Sequence, residues 1–261
     1  MREILETVAE LTTQGEPFAL ATVVETDGSV SAQTGSKAVI GVSGGIAVGW
    51  IGGGCAESSV RQAALESLRD GQTRMIDIDL DDEVLGVGMP CGGTMRVYVE
   101  PVLPSPSLWI LGHGRIAEAL CRLGAMVGLR VLVIDEAAEA ERYPDAAELI
   151  TDDLDYSALT PRADDYVVVA TQHKGDHQSM KRLLERDVRY IAMIASRKRT
   201  GLIMDFLREQ GFDETRLAQV HAPSGLDLGC RTPEEVALSV LAEIVMVRRG
   251  GSGRPKRLVA G

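Results

Sequence analysis

Cysteine, long apolar runs and positive charge are all scarce in this chain, and each scarcity excludes a class of protein. There are four cysteines in 261 residues, irregularly spaced. That pattern makes neither a disulfide framework nor a structural zinc site, which would want CxxC pairs. A reducing, cytoplasmic setting is expected. No window approaches the roughly 18 consecutive apolar residues that span a bilayer. The opening MREILETVAELTTQG is amphipathic and acidic, without the basic segment or cleavage motif of a signal peptide. The formal net charge is −11, which argues against nucleic acid as the main partner. Residues 1–104 carry 6 Lys+Arg against 15 Asp+Glu, and the remainder 21 against 23. An anionic ligand therefore needs local help from backbone N–H groups or a focused basic cluster.

What is present is enough apolar material, 45% of residues, to build a core. The length allows one large domain or two small ones. The segment Pro101-Val-Leu-Pro-Ser-Pro-Ser107 is the linker candidate. It separates an N-terminal domain (1–100) from a C-terminal one (108–249), and a basic Gly/Ser-rich tail (250–261) is expected to be disordered. There is no internal repeat. In the first domain Ile4, Leu5, Val8 and Leu11 form a helical stripe. Phe18–Val24 reads as a strand, and Lys37–Val42 with Ile46–Ile51 as a hairpin around Ser43-Gly-Gly45. A helix opens at Gly52-Gly-Gly-Cys-Ala-Glu57 and runs to about Leu68, followed by strands at Arg74–Leu80 and Met95–Val99. This is a small α+β domain. After the linker the rhythm is β-α-β. Strands are predicted at Leu108–Leu111, Arg130–Ile134, Tyr166–Ala170 and Tyr190–Ile194, with Ala119, Leu120, Leu123, Met126 and Val127 as the inward face of the first helix. The fold class is α/β, a Rossmann-like doubly wound parallel sheet joined to the α+β domain. A last helix, Glu234 to about Val247, follows the capping box Thr232-Pro-Glu-Glu235 and is apolar on one face, which suggests a homodimer.

The sharpest motif is Gly112-x-Gly114-x-x-Ala117, between a strand and a helix, with Asp135 ending the next strand. Gly112 makes a tight turn, Gly114 lets backbone approach a pyrophosphate, and Ala117 lets the helix sit close to the sheet. Asp135 is placed to accept from a ribose hydroxyl. The alternative is a Rossmann scaffold whose site is vestigial or serves for docking. Cys55 falls in the first turn of a helix, where the dipole favours a thiolate. Cys91 is followed by two glycines that leave its sulfur room. Against this, a free cysteine is usually a small buried hydrophobe, as Cys121 is expected to be; Cys230 stays open. Ser196-Arg197-Lys-Arg199 is a phosphate clamp or a solvated basic turn. His173 and His177 are four apart, but Gly175 and an N-cap at Asp176 put them on different elements, so they make no metal pair.

These motifs together resemble the XdhC/CoxI family, maturation factors of xanthine dehydrogenase and carbon monoxide dehydrogenase. The resemblance rests on Gly53-Gly-Cys-Ala-Glu57, Cys91-Gly-Gly93, Leu111-Gly-His-Gly114, Ala170-Thr-Gln172 with Asp176, Ala195-Ser-Arg-Lys198, Pro223-Ser-Gly-Leu-Asp-Leu-Gly229, Thr232-Pro-Glu-Glu-Val-Ala237 and Ala242-Glu-Ile244. The GGC-E and ATQ-D forms look closer to the CoxI side. The resemblance implies a chaperone rather than an enzyme. It would bind molybdenum cofactor, as molybdopterin or its cytosine dinucleotide, assist its sulfuration with a cysteine desulfurase, and deliver it to a molybdenum hydroxylase apo-subunit. It implies Cys55, Cys91 and Glu57 as the reactive set, with no metal held by the protein alone and molybdenum meeting Cys55 or Cys91 through the cofactor. Gly53, Gly54, Gly92, Gly93, Gly112, Gly114, Arg115, Asp135, Thr171, Gln172, Ser196 and Arg197 are the implied cofactor contacts, with a nucleotide such as NAD(P) or ATP as a further ligand.

There are departures. Ser31 and Ala32 stand where the family's early loop has Pro and Arg, and Arg115 stands where XdhC-type members often have His. The competing reading is an NAD(P)-dependent oxidoreductase on the same Rossmann domain, with a His such as His173, His177 or His221 as its acid or base. A sulfur-transfer enzyme with Cys55 or Cys91 as nucleophile is a third reading, compatible with the first.

Overall fold

Alternation along the first strand decides the layering of the N-terminal unit. In the computed structural model, which describes residues 1–80, 93–153, 155–171 and 175–256, the chain forms two compact units, Met1–Pro104 and Ser105–Gly261. The first unit contains α1 (Arg2–Gln14), β1 (Phe18–Gly28), β2 (Lys37–Gly41), β3 (Ile46–Gly49), α2 (Gly54–Asp70), β4 (Arg74–Asp79) and β5 (Gly93–Val102). The strands pair antiparallel in the order β3-β2-β1-β5-β4. Side chains alternate across a strand, so Ala19, Ala21 and Val23 turn to one face with Ala38 and Ile40. There they pack with Ala56, Val60 and Ala64 of α2. Phe18 and Val39 turn to the other face and meet Ile4, Val8 and Leu11 of α1.

The second unit contains β6 (Ser107–Leu111), α3 (Arg115–Met126), β7 (Arg130–Ile134), β8 (Glu148–Ile150), β9 (Tyr166–Val169), α4 (Asp176–Leu184), β10 (Tyr190–Met193), α5 (Arg197–Glu209), α6 (Glu214–Leu217), β11 (Val220–His221) and α7 (Pro233–Arg249). All six strands are parallel, ordered β11-β10-β9-β6-β7-β8. Both faces are covered, which is why the strands read as apolar runs. Leu108, Ile110, Val131, Val133, Tyr166 and Val168 pack under α3 and α7. Trp109, Leu111, Leu132, Ile134, Val167 and Val169 pack on the opposite side, with Met180 and Leu183 of α4 and Ile203 and Leu207 of α5. The chain reverses direction across the sheet between β6 and β9. In open parallel sheets that crevice, outside the carboxyl ends of the strands, is where ligands bind.

Two local expectations need correction. Met126 and Val127 are exposed, and the buried face of α3 is Ala117, Leu120, Cys121 and Gly124. The 3.6-residue period runs through a cysteine and a glycine, which do not register as apolar stripe residues. The N-cap of α4 is Gly175, in the left-handed region, and Asp176 is the first helical residue. The capping box at α7 is present, with Thr232 and Glu235 each accepting from the other's backbone N–H. Among the described residues no helix is long and apolar enough to cross a membrane.

Candidate functional site

The glycine turn between β6 and α3 is held by its neighbours before any ligand is considered. Gly112 has φ +125°, and a Cβ there would collide with the carbonyl of Ala170 at the end of β9. Its lack of a side chain is thus explained by the close approach of two strands. Gly114 is the N-cap of α3 at φ +96°, again a conformation suited to glycine. Its N–H donates to the Tyr143 hydroxyl at 3.1 Å. Tyr143 is buried, and burial pushes its pKa up to about 12, helped by the charges of Glu118 and Asp135 and opposed by the Gly114 N–H. Arg115, the first residue of α3, pairs with Glu234 at 2.8 Å.

Asp135 closes this turn from the end of β7. Its Oδ1 receives His113 Nδ1 at 2.9 Å and the Ala137 N–H at 2.8 Å. Its Oδ2 has no partner among the described residues, and the side chain is only 16% exposed. Both residues line a cavity of about 190 Å³ with Glu136, Ala137, Asp153, Tyr156, Gly175 and Gln178. Tyr156 has φ +58°, the only non-glycine among the described residues with positive φ. Such strain persists only where the surroundings impose it. Burial raises the Tyr156 pKa, and the nearby carboxylates of Asp135, Asp176, Asp153 and Glu136 raise it further.

On the other side of the crevice, Thr171 and Asp176 are buried. The Thr171 hydroxyl donates to Asp176 Oδ1. Arg199 Nε donates to Asp176 Oδ2 at 3.1 Å. This links the loop after β9 to the start of α5. Ser196 caps α5 by accepting from the Arg199 N–H at 3.3 Å, while Arg197 is exposed at the first position of that helix. At the end of β11, His221 Nδ1 lies 2.9 Å from Glu243 Oε1. Glu243 Oε2 accepts from the Tyr190 hydroxyl at 2.6 Å and the Gly225 N–H at 2.8 Å.

In the first unit, Gly53 is the N-cap of α2, and Gly54 and Cys55 are its first two residues. Among the described residues a Cβ at Gly53 or Gly54 would meet nothing within 4 Å. Glu57, in the first turn, pairs with Arg61 one turn later. Gly93 begins β5, and a Cβ there would strike the backbone of Asp27 and Ser29. Strand packing is thus enough to require glycine at 93. Cys91, Gly92 and Gln172, like His173 of the rejected His pair, lie outside the described residues, as does the side chain of Cys55. Among the described residues no cluster of three or more His, Cys, Asp or Glu could hold a metal ion.

The family model for the XdhC Rossmann domain matches residues 108–244, more than half of the chain. The chain belongs to the XdhC/CoxI family. A second model, for the XdhC and CoxI family, matches residues 11–79. The uncharacterized protein YqeB of Escherichia coli is 32% identical over 257 residues, covering 96% of this chain and 47% of that protein. A Bacillus subtilis protein named as a probable xanthine dehydrogenase subunit is 28% identical, covering 60% and 47%. The molybdenum cofactor insertion chaperone PaoD of Escherichia coli is 24% identical, covering 95% and 88%. The chain thus spans about half the length of the first two relatives. The XdhC Rossmann segment contains the whole crevice described above. His113 stood inside the motif Leu111-Gly-His-Gly114, whereas Tyr143, Asp153, Tyr156 and Gln178 had no sequence signal beyond their neighbourhood. Tyr143 reaches Gly114 across 29 positions of irregular chain, a distance at which no spacing rule operates.

Proposed function

We propose that this chain is a maturation factor for a molybdenum hydroxylase of the xanthine or carbon monoxide dehydrogenase type. It binds the molybdenum cofactor, protects it, assists its sulfuration with a cysteine desulfurase, and delivers it to the hydroxylase apoprotein. The observation that carries this reading is the relation, over 95% of the chain, to a protein named as a molybdenum cofactor insertion chaperone. The crevice of the second unit fits a nucleotide-bearing form of the cofactor. The Gly112–Gly114 turn lies against the helix N-terminus, and Asp135 keeps one carboxylate oxygen without a donor among the described residues. The bound cofactor supplies the metal and its sulfur ligands. No described residue would crowd a Cβ at Gly53 or Gly54 at the start of α2, where Cys55 stands, and Cys91 and Gly92 complete the set assigned to the first unit. Thr171, Ser196 and Arg197 are assigned to the cofactor's phosphates, and Gln172 joins them by its place in the family motif Ala170-Thr-Gln172. The working form is a homodimer.

The test is co-expression with an apo-hydroxylase in cells lacking their own maturation factor. The purified chain should carry pterin fluorescence and molybdenum by mass spectrometry. Cys55→Ala or Cys91→Ala should leave the circular dichroism spectrum intact and abolish hydroxylase activation. A wild-type chain that neither carries pterin nor raises hydroxylase activity overturns the reading. NAD(P)H oxidation with a carbonyl substrate above about 1 per second would replace it with the oxidoreductase.

A further inference from the structure

Arg199 is held by a carboxylate that lies almost wholly out of water. Asp176 is buried. Its Oδ1 accepts from the Thr171 hydroxyl and its Oδ2 from Arg199 Nε at 3.1 Å. An arginine carries five N–H donors. Here Nε is engaged, while Nη1 and Nη2 have no partner among the described residues. The Arg199 side chain is 24% exposed, so the group can be reached from solvent. Thr171 follows the carboxyl end of β9 and Arg199 the carboxyl end of β10, and these two strands are neighbours. Tying the loop after β9 to α5 needs one ion pair and no more. Yet α5 opens on Arg197, Lys198 and Arg199 with no acid in its first turn, where the helix dipole favours anions. Three cations there repel one another and oppose the dipole, an arrangement that is stabilised when an anion joins them.

We infer that Arg199 is the side chain that grips the phosphate of the crevice's ligand, and that Asp176 and Thr171 are positioning residues acting through it. The inference rests on the reading of the crevice as a site for a phosphate-bearing ligand and names the group that recognises it. With Nε spent on Asp176, the guanidinium plane is fixed. Nη1 and Nη2 then present a planar fork, the geometry that two phosphate oxygens accept. The rotamer freedom of a long arginine is given up on folding rather than on binding. Thr171 has one hydroxyl hydrogen, and Asp176 takes it. Thr171 therefore serves the phosphate through Asp176 and not by contact. Asp176 itself repels a phosphate, so its benefit to binding lies in where it holds Arg199.

Calorimetry on the full chain with inorganic pyrophosphate and ADP tests this, with circular dichroism to show that each variant is folded. Arg199→Gln should weaken both probes at least about tenfold, the value of a hydrogen bond to a charged group. Arg199→Lys keeps the charge but not the fork, and should weaken them by about as much. Asp176→Leu gives the decisive sign. It removes a negative charge, so charge alone predicts tighter binding, whereas loss of aim predicts binding weaker by about fivefold or more. Thr171→Val should weaken binding about threefold, and Thr171→Ser, which keeps the hydroxyl, should restore it. A merely structural tie would lower the urea midpoint of these variants and leave the affinity of folded protein as it was. If Asp176→Leu does not fold, Arg199→Lys and the two Thr171 variants decide. Unchanged affinity in Arg199→Lys, or tighter binding by Asp176→Leu, overturns this inference and leaves the phosphate site standing. Folded wild-type chain that binds neither probe overturns the phosphate reading and this inference with it.

Discussion

The Tyr143 hydroxyl accepts the amide hydrogen of Gly114 at 3.1 Å, so one of the unpaired donors at the start of α3 is already engaged by a side chain. A helix leaves its first N–H groups without intrahelical partners. Here a buried phenol stands where an anion would be expected. Tyr143→Phe should lower stability by about 1–2 kcal/mol, the cost of leaving the amide unsatisfied. The upward shift of the melting temperature on adding ADP should then be larger than in wild type, because only a bound anion satisfies Gly114. Thermal melts with and without ADP check this. An unchanged shift would mean the phosphate lies elsewhere.

Gly112→Ala should be far more damaging than its size suggests. The residue sits at φ +125°, and the added methyl would meet the Ala170 carbonyl of the neighbouring strand. Backbone on both sides prevents easy relaxation. A loss of at least about 2 kcal/mol is expected, read as a fall in the urea midpoint. Gly53→Ala, where a Cβ meets nothing within 4 Å, should cost well under half of that.

Glu243 gives a pH dependence with a defined sign. Burial pushes its pKa up, but hydrogen bonds from His221, Tyr190 and Gly225 outweigh it and hold the value at about 2, below the ordinary 4.5. A carboxylate with a lower pKa in the folded state stabilises fully above its unfolded value and loses that contribution as pH falls through the folded one. Wild type should therefore exceed Glu243→Gln in urea midpoint at neutral pH. The gap should shrink steadily between pH 4.5 and 2. A gap that grows on acidification would contradict the network.

The two described free thiols should separate by reactivity. Burial, with the charge of Asp145, raises the Cys121 pKa to about 11, and the thiolate is the reactive form. Iodoacetamide should label Cys230, which is partly exposed, in native protein. Cys121 should be labelled only after unfolding. Peptide mass mapping before and after urea distinguishes them.

The architecture of the second unit was legible because its signals are local. The apolar run Leu108–Leu111, the two glycines and the acid at Asp135 lie within about thirty residues and each has one mechanical reading. The edge strands were not. Glu148–Ile150 and Val220–His221 are too short for a period of two to rise above the surrounding loop. The site was legible to the same depth. Gly112, Gly114 and Asp135 could be named because a motif orders them. Tyr143 and Tyr156 enter from irregular chain, placed by the packing of the sheet. Gly93 shows the converse. Its neighbour Gly92 and the pattern Cys91-Gly-Gly93 suggested room for a ligand, yet the backbone of Asp27 is sufficient reason for glycine there.

The parallel sheet ends on one side in β8, three residues long, and on the other in β11, two residues long. An unpaired strand edge is a template onto which another chain can add, and templating of that kind needs runs of about six residues. Neither margin offers such a run. A neighbouring copy therefore gains almost no backbone pairing by lying alongside this sheet, and self-association of the unit falls to side-chain surfaces. The apolar central strands, Ser107–Leu111 and Tyr166–Val169, are paired on both sides and covered on both faces. They reach other molecules only when the unit unfolds, which ties its resistance to aggregation to its folding equilibrium.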